Sequence, residues 1–224
     1  MVSFNENTLK KARQHLIMSI EKKDVATLKK ILDAGFPINE PVTRTPFMSC
    51  SMYAAARGDK NIFDIVMGYE PDVELTDATG RNLMHLAARA GQVDILQTIF
   101  EDSRFQALHE SRTLGGLTPL MFAVQSGSMH AVGECLNQGL NPFSPDRLGL
   151  SALEHAAPFT NINGQSMPEL IEQARDQWRA QVPPETIQQQ STLPDGMTFF
   201  KGFSNPNTTA GGDGSTGGVG DQSM

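Results

Sequence analysis

Five histidines (His15, His85, His109, His130 and His155) and two cysteines (Cys50 and Cys135) are the residues of this sequence best equipped to ligate a metal or attack a substrate. A metal site on one helix face needs His-x-x-x-His, and a paired thiolate site needs Cys-x-x-Cys; neither spacing occurs. No Gly-x-x-x-x-Gly-Lys-Ser/Thr or Gly-x-Gly-x-x-Gly run lies between a strand and a helix, and there is no Gly-x-Ser-x-Gly elbow. Gly211 to Gly220 is rich in glycine but follows no strand and holds no lysine to reach a phosphate. Carboxylate neighbours such as Glu101 and Asp102 fall in loops, where they are solvated charge. The expectation is a chain that is not an enzyme, with no cofactor, no metal and no small-molecule substrate.

Composition narrows the partners. Eighteen basic against 25 acidic residues give a net charge of −7, which opposes a sequence-independent grip on nucleic acid or anionic lipid. Two cysteines cannot build a disulfide framework, and a buried thiol in a reducing compartment is the expectation for Cys135. No stretch is long and apolar enough for a membrane span, and Glu6, Lys10, Lys11 and Arg13 occupy the place of a secretory apolar core. Asn7 to Ile20 is amphipathic without acids, which fits a mitochondrial presequence as well as a first packed helix. The expected compartment is the cytoplasm, with the cytoskeleton, the cilium and the mitochondrion as alternatives.

The elements that position these residues are short helices. In Gly116-Leu117-Thr118-Pro119-Leu120-Met121-Phe122-Ala123-Val124-Gln125-Ser126-Gly127, Thr118 caps a helix that begins at Pro119. Leu120, Ala123 and Val124 share one face, and Gly127 ends the helix in the left-handed region. Thirty-six residues earlier Gly80-Arg81-Asn82-Leu83-Met84-His85-Leu86-Ala87-Ala88 repeats the pattern, with Asn82 as cap. Thirty-three residues later Gly149-Leu150-Ser151-Ala152-Leu153-Glu154-His155-Ala156-Ala157 repeats it again, with Ser151 and Glu154 spaced as a capping box.

With these residues in place the chain resembles the ankyrin-repeat family, whose pattern is Gly-x-Thr-Pro-Leu-His-x-Ala-Ala-x-x-Gly at a period of about 33 residues. The resemblance covers about residues 8 to 180. It implies an all-α fold, an ankyrin solenoid of stacked helix pairs with short β-hairpin loops, in about five repeats. The units run approximately 8–43, 44–76, 77–112, 113–145 and 146–181, within a repeat domain spanning 1–181. In the first, a capping helix over 8 to 20 pairs with Asp24 to Leu32. In the second, Ser49 takes the cap position, Thr45-Pro46 belongs to a lengthened loop, and Ile62, Ile65 and Val66 point inward. The third carries an enlarged segment, Glu101 to Thr113. The fifth is interrupted at Pro158 and completed by a helix whose stripe is Leu170, Ile171, Ala174 and Trp178. By the same resemblance, His85 bonds to neighbouring backbone and orders the stack.

The stretch 182–224 is a Pro/Gly-rich tail, expected to be flexible because residues 205 to 224 hold six glycines and no aromatic residue. Within 193–203, Phe199, Phe200 and Phe203 are too apolar for an idle linker. They either fold back on the repeats or dock on another protein.

Ankyrin contact positions flank the hairpin glycine and precede the helix-ending glycine. Carried onto this sequence they are Ala78, Thr79, Arg81, Arg89 and Ala90 in the third unit, and Leu114, Gly115, Leu117, Gln125 and Ser126 in the fourth. The fifth offers Arg147, Leu148 and Leu150, and the second offers Ala56 and Arg57. Arg57, Arg81, Arg89 and Arg147 are basic on an acidic chain, and Leu114, Leu117, Leu148 and Leu150 are leucines at turns that do not need them. Arginines beside a small apolar cluster are what binding hot spots use. The candidate function is a non-catalytic adaptor or scaffold whose concave groove grips an acidic, partly hydrophobic segment of a partner protein. The alternative reading of the same residues is that the leucines pack between fingers and the arginines pair with acids such as Asp77 and Asp146. Two other functions compete: a permanent structural subunit of a large cytoskeletal or axonemal assembly, and a substrate for an asparaginyl hydroxylase at Asn39.

Overall fold

A computed structural model of the chain describes residues 6–57, 59–158 and 166–181. All belong to the unit Met1–Val182; the unit Pro183–Met224, and with it Phe199, Phe200 and Phe203, lies outside the described residues. The described residues form α-helices and one 3-10 helix, with no strand among them.

The helices come in pairs. Helices α1 (Glu6–Glu21) and α2 (Val25–Asp33) pack together, followed by α3 (Cys50–Arg57) with α4 (Lys60–Met67), then α5 (Leu83–Ala90) with α6 (Val93–Glu101). Next come α7 (Pro119–Ser126) with α8 (Met129–Asn137), and α9 (Ala152–Ala156) with α10 (Met167–Gln181). Each first helix also touches the next first helix, and from α4 onward each second helix touches the next second helix. The buried alanines Ala54, Ala55, Ala87, Ala88, Ala123 and Ala156 let the first helices approach closely.

Local chemistry starts and stops these helices. Met121 N–H donates to the Thr118 hydroxyl at 3.3 Å, His85 N–H to the Asn82 side chain at 3.1 Å, and Ile62 N–H to the Asp59 carboxylate at 3.0 Å. Ser151 and Glu154 form the reciprocal capping box of α9, with Ser151 N–H donating to the Glu154 carboxylate at 2.7 Å. Gly91 and Gly127 end α5 and α7 at φ of 68° and 74°, values that glycine adopts without cost from a Cβ.

Three parts of the core differ from the sequence expectation. Phe63 and Met67 are buried on α4 with Ile62 and Val66, the four making one continuous face at i, i+1, i+4 and i+5, whereas Ile65 lies off the edge of that face and is only half-buried. The enlarged segment after α6 is a 3-10 helix, Ser103–Leu108, capped by Asp102 and anchored by buried Phe105 and Leu108. On α10 the fully buried residues are Met167 and Ile171; Leu170, Ala174 and Trp178 are half-buried, and the indole sits 6.4 Å from the Phe143 ring.

Candidate functional site

Between α4 and α5, between the 3-10 helix and α7, and between α8 and α9, the chain makes a tight finger of one design. Asp77 N–H donates to the Arg81 carbonyl at 2.8 Å, Thr113 N–H to that of Leu117 at 3.0 Å, and Asp146 N–H to that of Leu150 at 2.9 Å. A glycine with φ near +80° turns each one: Gly80, Gly116 and Gly149. The finger before α3 is longer by two residues, closing through Val42 N–H to the Met48 carbonyl at 2.8 Å.

The fingers are tied tip to tip. Ala78 N–H donates to the Pro46 carbonyl at 3.0 Å, Leu114 N–H to that of Thr79 at 2.9 Å, and Arg147 N–H to that of Gly115 at 3.0 Å. Four consecutive fingers therefore stand in one row. A Cβ at Gly80 would lie 2.9 Å from the Leu114 nitrogen, and one at Gly116 2.8 Å from the Arg147 nitrogen, so neighbouring fingers approach as closely as only glycine permits.

In the three tight fingers the first residue holds the turn from inside. The Asp77 carboxylate is fully enclosed and accepts from Thr79 N–H at 2.8 Å, Arg81 N–H at 3.0 Å and the Arg81 Nε at 2.7 Å. Burial pushes this carboxyl upward, but the bonds from Thr79 and Arg81 together outweigh it and hold it below the ordinary range. Asp146 accepts from Leu148 N–H, Leu150 N–H and the His155 ring, and burial is again outweighed.

Behind the fingers His85 is enclosed on α5. Its Nε2 faces the Leu117 carbonyl at 3.2 Å, an acceptor that places a proton on Nε2, while Nδ1 lies 3.3 Å from the Asn82 backbone nitrogen, whose N–H it accepts, and 2.7 Å from the Asn82 side-chain oxygen. Desolvation lowers its pKa to about 4, so the ring is neutral at pH 7. One imidazole thereby joins the start of α5 to the finger ahead of α7.

Between the Asp77–Arg81 and Thr113–Leu117 fingers, the second and third of the row, and the ends of α5 and α7 lies an open groove of about 410 Å³, lined by Arg81, Arg89, Leu114, Leu117, Phe122 and Gln125 among others. Arg81 and Arg89 differ here. The Arg81 guanidinium is spent on Asp77, its Nη2 lying 2.6 Å from the carboxylate. Arg89 donates to the Gln125 side-chain oxygen at 2.6 Å and lies 5.9 Å from the Phe122 ring centre, and among the described residues it pairs with no carboxylate. Its charge is positioned but not neutralised.

The remaining candidates fall in three places. Leu114 is 60% exposed and Leu148 83%, both at finger tips, and Leu150, which closes its finger, is 38% exposed, whereas Leu117 at the matching closing position is half-buried and packs on the core. Arg147 is exposed beside Leu148 and, among the described residues, has no carboxylate partner; Asp146 pairs with His155 instead. Arg57 stands apart from the groove: it donates to Glu21 at 2.8 Å and to the Tyr53 hydroxyl at 2.6 Å, tying α3 to α1. Asn39 is exposed, and its side-chain oxygen accepts Asp72 N–H at 2.8 Å, linking the closing turns of the first two helix pairs.

The sequence reading did not reach Phe122, the floor of the groove, which sits among core residues of α7 with no polar marker. Phe47, 53% exposed at the tip of the longer finger, was also missed, because that finger's extra residues hide its register.

The two thiols are silenced. Cys50 and Cys135 are buried, and desolvation pushes both up to about 12. Among the described residues no group of three or more His, Cys, Asp and Glu could hold a metal ion, and no helix is long and apolar enough to cross a membrane.

Fold and site together define a stack of helix pairs bearing a hydrogen-bonded row of fingers. No family model matches the chain. Over 89 residues, 40% of its length, the chain is 37% identical to the transient receptor potential cation channel subfamily A member 1 of Homo sapiens, and the matched stretch spans 8% of that protein.

Proposed function

We propose that this chain is an ankyrin-repeat protein whose repeats act as a non-catalytic protein-interaction module, an adaptor or scaffold. Its partner presents an acidic, partly hydrophobic segment to the groove between the second and third fingers and to the neighbouring tips. One observation carries this reading: the unneutralised Arg89 stands over an apolar floor, with exposed Leu114 and Leu148 on a row of fingers that backbone bonds hold rigid. Arginine and compact apolar surface on a preorganised scaffold lose little entropy when a partner binds. Phe122 and Leu117 supply dry contact, and Arg89 meets a carboxylate.

The non-catalytic reading rests on where the reactive groups are. His85 is neutral and bonded at both ring nitrogens, and the two thiols are buried and protonated. The fivefold division of the stack, a cytoplasmic setting and the absence of nucleic-acid and small-molecule ligands belong to the same proposal. The channel's activity does not come with the similarity, since the shared stretch is a small part of that protein.

The test is Leu114→Ala combined with Leu148→Ala in the full chain. Both side chains are exposed, so binding of the native partner falls while the melting temperature stays within about 2 °C of the parent. A large drop in melting temperature instead would make the leucines structural.

A further inference from the structure

Phe47 occupies the turn position that Gly80, Gly116 and Gly149 fill in the other fingers. Its φ is +66°, beside +79°, +80° and +82° for the three glycines. A residue with a Cβ is disfavoured in that region, and a bulky one more so. Burial does not compensate, because the residue is 53% exposed. The fold would hold this turn with less strain if the residue were glycine, and Phe47 is not among the residues packed against the core.

Its neighbours say what it faces. The Pro46 carbonyl accepts Ala78 N–H, which sets Phe47 one residue from the row of tip-to-tip bonds that leads to Leu114 and then to Arg147 and Leu148. Along that row Arg44 and Arg147 are exposed and pair with no carboxylate among the described residues, Arg112 just ahead of the third finger donates to the Pro145 carbonyl at 2.6 Å, and Arg81 is spent on Asp77; the fingers' acids are Asp77 and Asp146. Both carboxylates are turned inward, with side chains 0% and 5% exposed. On a chain of net charge −7 the finger row is thus a cationic edge studded with exposed apolar side chains.

We propose that Phe47 is the far anchor of a contact row that runs along the fingertips to Leu148, and that this row holds an extended segment of a partner protein bearing carboxylates next to apolar side chains. The inference rests on the interaction-module reading and lengthens its site by one finger. Charge complementarity selects the occupant: arginines without solvent-facing acids favour a carboxylate-rich segment, and separated apolar tips favour an extended one that reaches several fingers at once. Strain tolerated at an exposed aromatic is what a functional site shows.

The full chain is used to select from a displayed library of random peptides about sixteen residues long, and the enriched peptides are then measured against Phe47→Gly, Leu148→Ala and the Leu114→Ala/Leu148→Ala pair. The expected result is peptides with Asp or Glu beside Leu, Ile or Phe, binding Phe47→Gly about tenfold more weakly. Phe47→Gly itself melts at the same or a higher temperature, because glycine relieves the turn. Equal binding to Phe47→Gly, with loss only in the leucine pair, would overturn the extension to Phe47 and leave the groove standing. A lower melting temperature for Phe47→Gly would make the ring structural and overturn it too. Enrichment of basic peptides would overturn the stated chemistry, as would binding to phosphatidylserine-containing vesicles with no peptide enrichment at all.

Discussion

His85 Nε2 lies 3.2 Å from the Leu117 carbonyl oxygen, so a buried ring on one helix pair holds the finger of the next. Nδ1 accepts Asn82 N–H only while the imidazole is neutral, and burial lowers the ring's pKa from 6.5 to about 4. Between these values the unfolded chain binds more protons than the folded one, so stability rises with pH across that window. The contribution is complete above pH 6.5 and lost as pH falls to about 4, amounting to about 3 kcal/mol at most. Asp77 and Asp146, whose carboxyls lie below their ordinary 3.8, lose their contributions only at lower pH. Half-buried His109, also lowered by desolvation, adds in the same direction as His85. Urea unfolding from pH 7 to pH 4.5 should show the decline, and His85→Leu should flatten most of it while costing about 2 kcal/mol at pH 7. An unchanged slope in that variant would mean that the ring is not the titrating group.

Asp77→Ala should destabilise more than Arg81→Ala. The first removes the acceptor of two finger N–H groups and leaves a cation unpaired; the second leaves a carboxylate that still has backbone donors. We expect about 2–3 kcal/mol against about 1 kcal/mol by chemical denaturation.

Gly116→Ala and Gly80→Ala should each cost more than Gly149→Ala. At Gly149 nothing lies within 4 Å of a Cβ, so only the left-handed backbone is penalised, by about 1 kcal/mol. At Gly80 and Gly116 the added carbon meets the backbone nitrogen of the next finger, and the tip-to-tip bond must stretch. Equal losses at all three positions would show that the fingers are not in contact.

Much of this arrangement is legible in local residue chemistry. Thr118-Pro119, Asn82 and the Ser151/Glu154 pair announce helix starts because capping is a matter of adjacent atoms. Leu114 and Leu148 are recognisable because leucine at a tight turn has no local reason to be there. Other features depend on tertiary closeness. Phe105 and Leu108 lie in a six-residue 3-10 helix too short to carry a periodic signal. The pairing of Asp77 with Arg81 is a short-range bond that the sequence offers, yet Asp146 takes His155 rather than Arg147. Phe47 was hidden because a finger two residues longer shifts the turn position.

Cys50 and Cys135 should resist a thiol reagent in the native protein at pH 8, since burial holds both protonated. Both should react at once in denaturant. Fast labelling of either in the native state would place it at an opening part of the stack.

The most direct test of the central claim compares the full chain with the Leu114→Ala/Leu148→Ala variant as baits in extract from the native source, scoring retained proteins quantitatively and the melting temperature of each bait. The account predicts that a defined set of proteins falls about tenfold on the variant, with carboxylate-rich apolar segments among them, while the two baits melt together. Retention of the same set by both baits would contradict it.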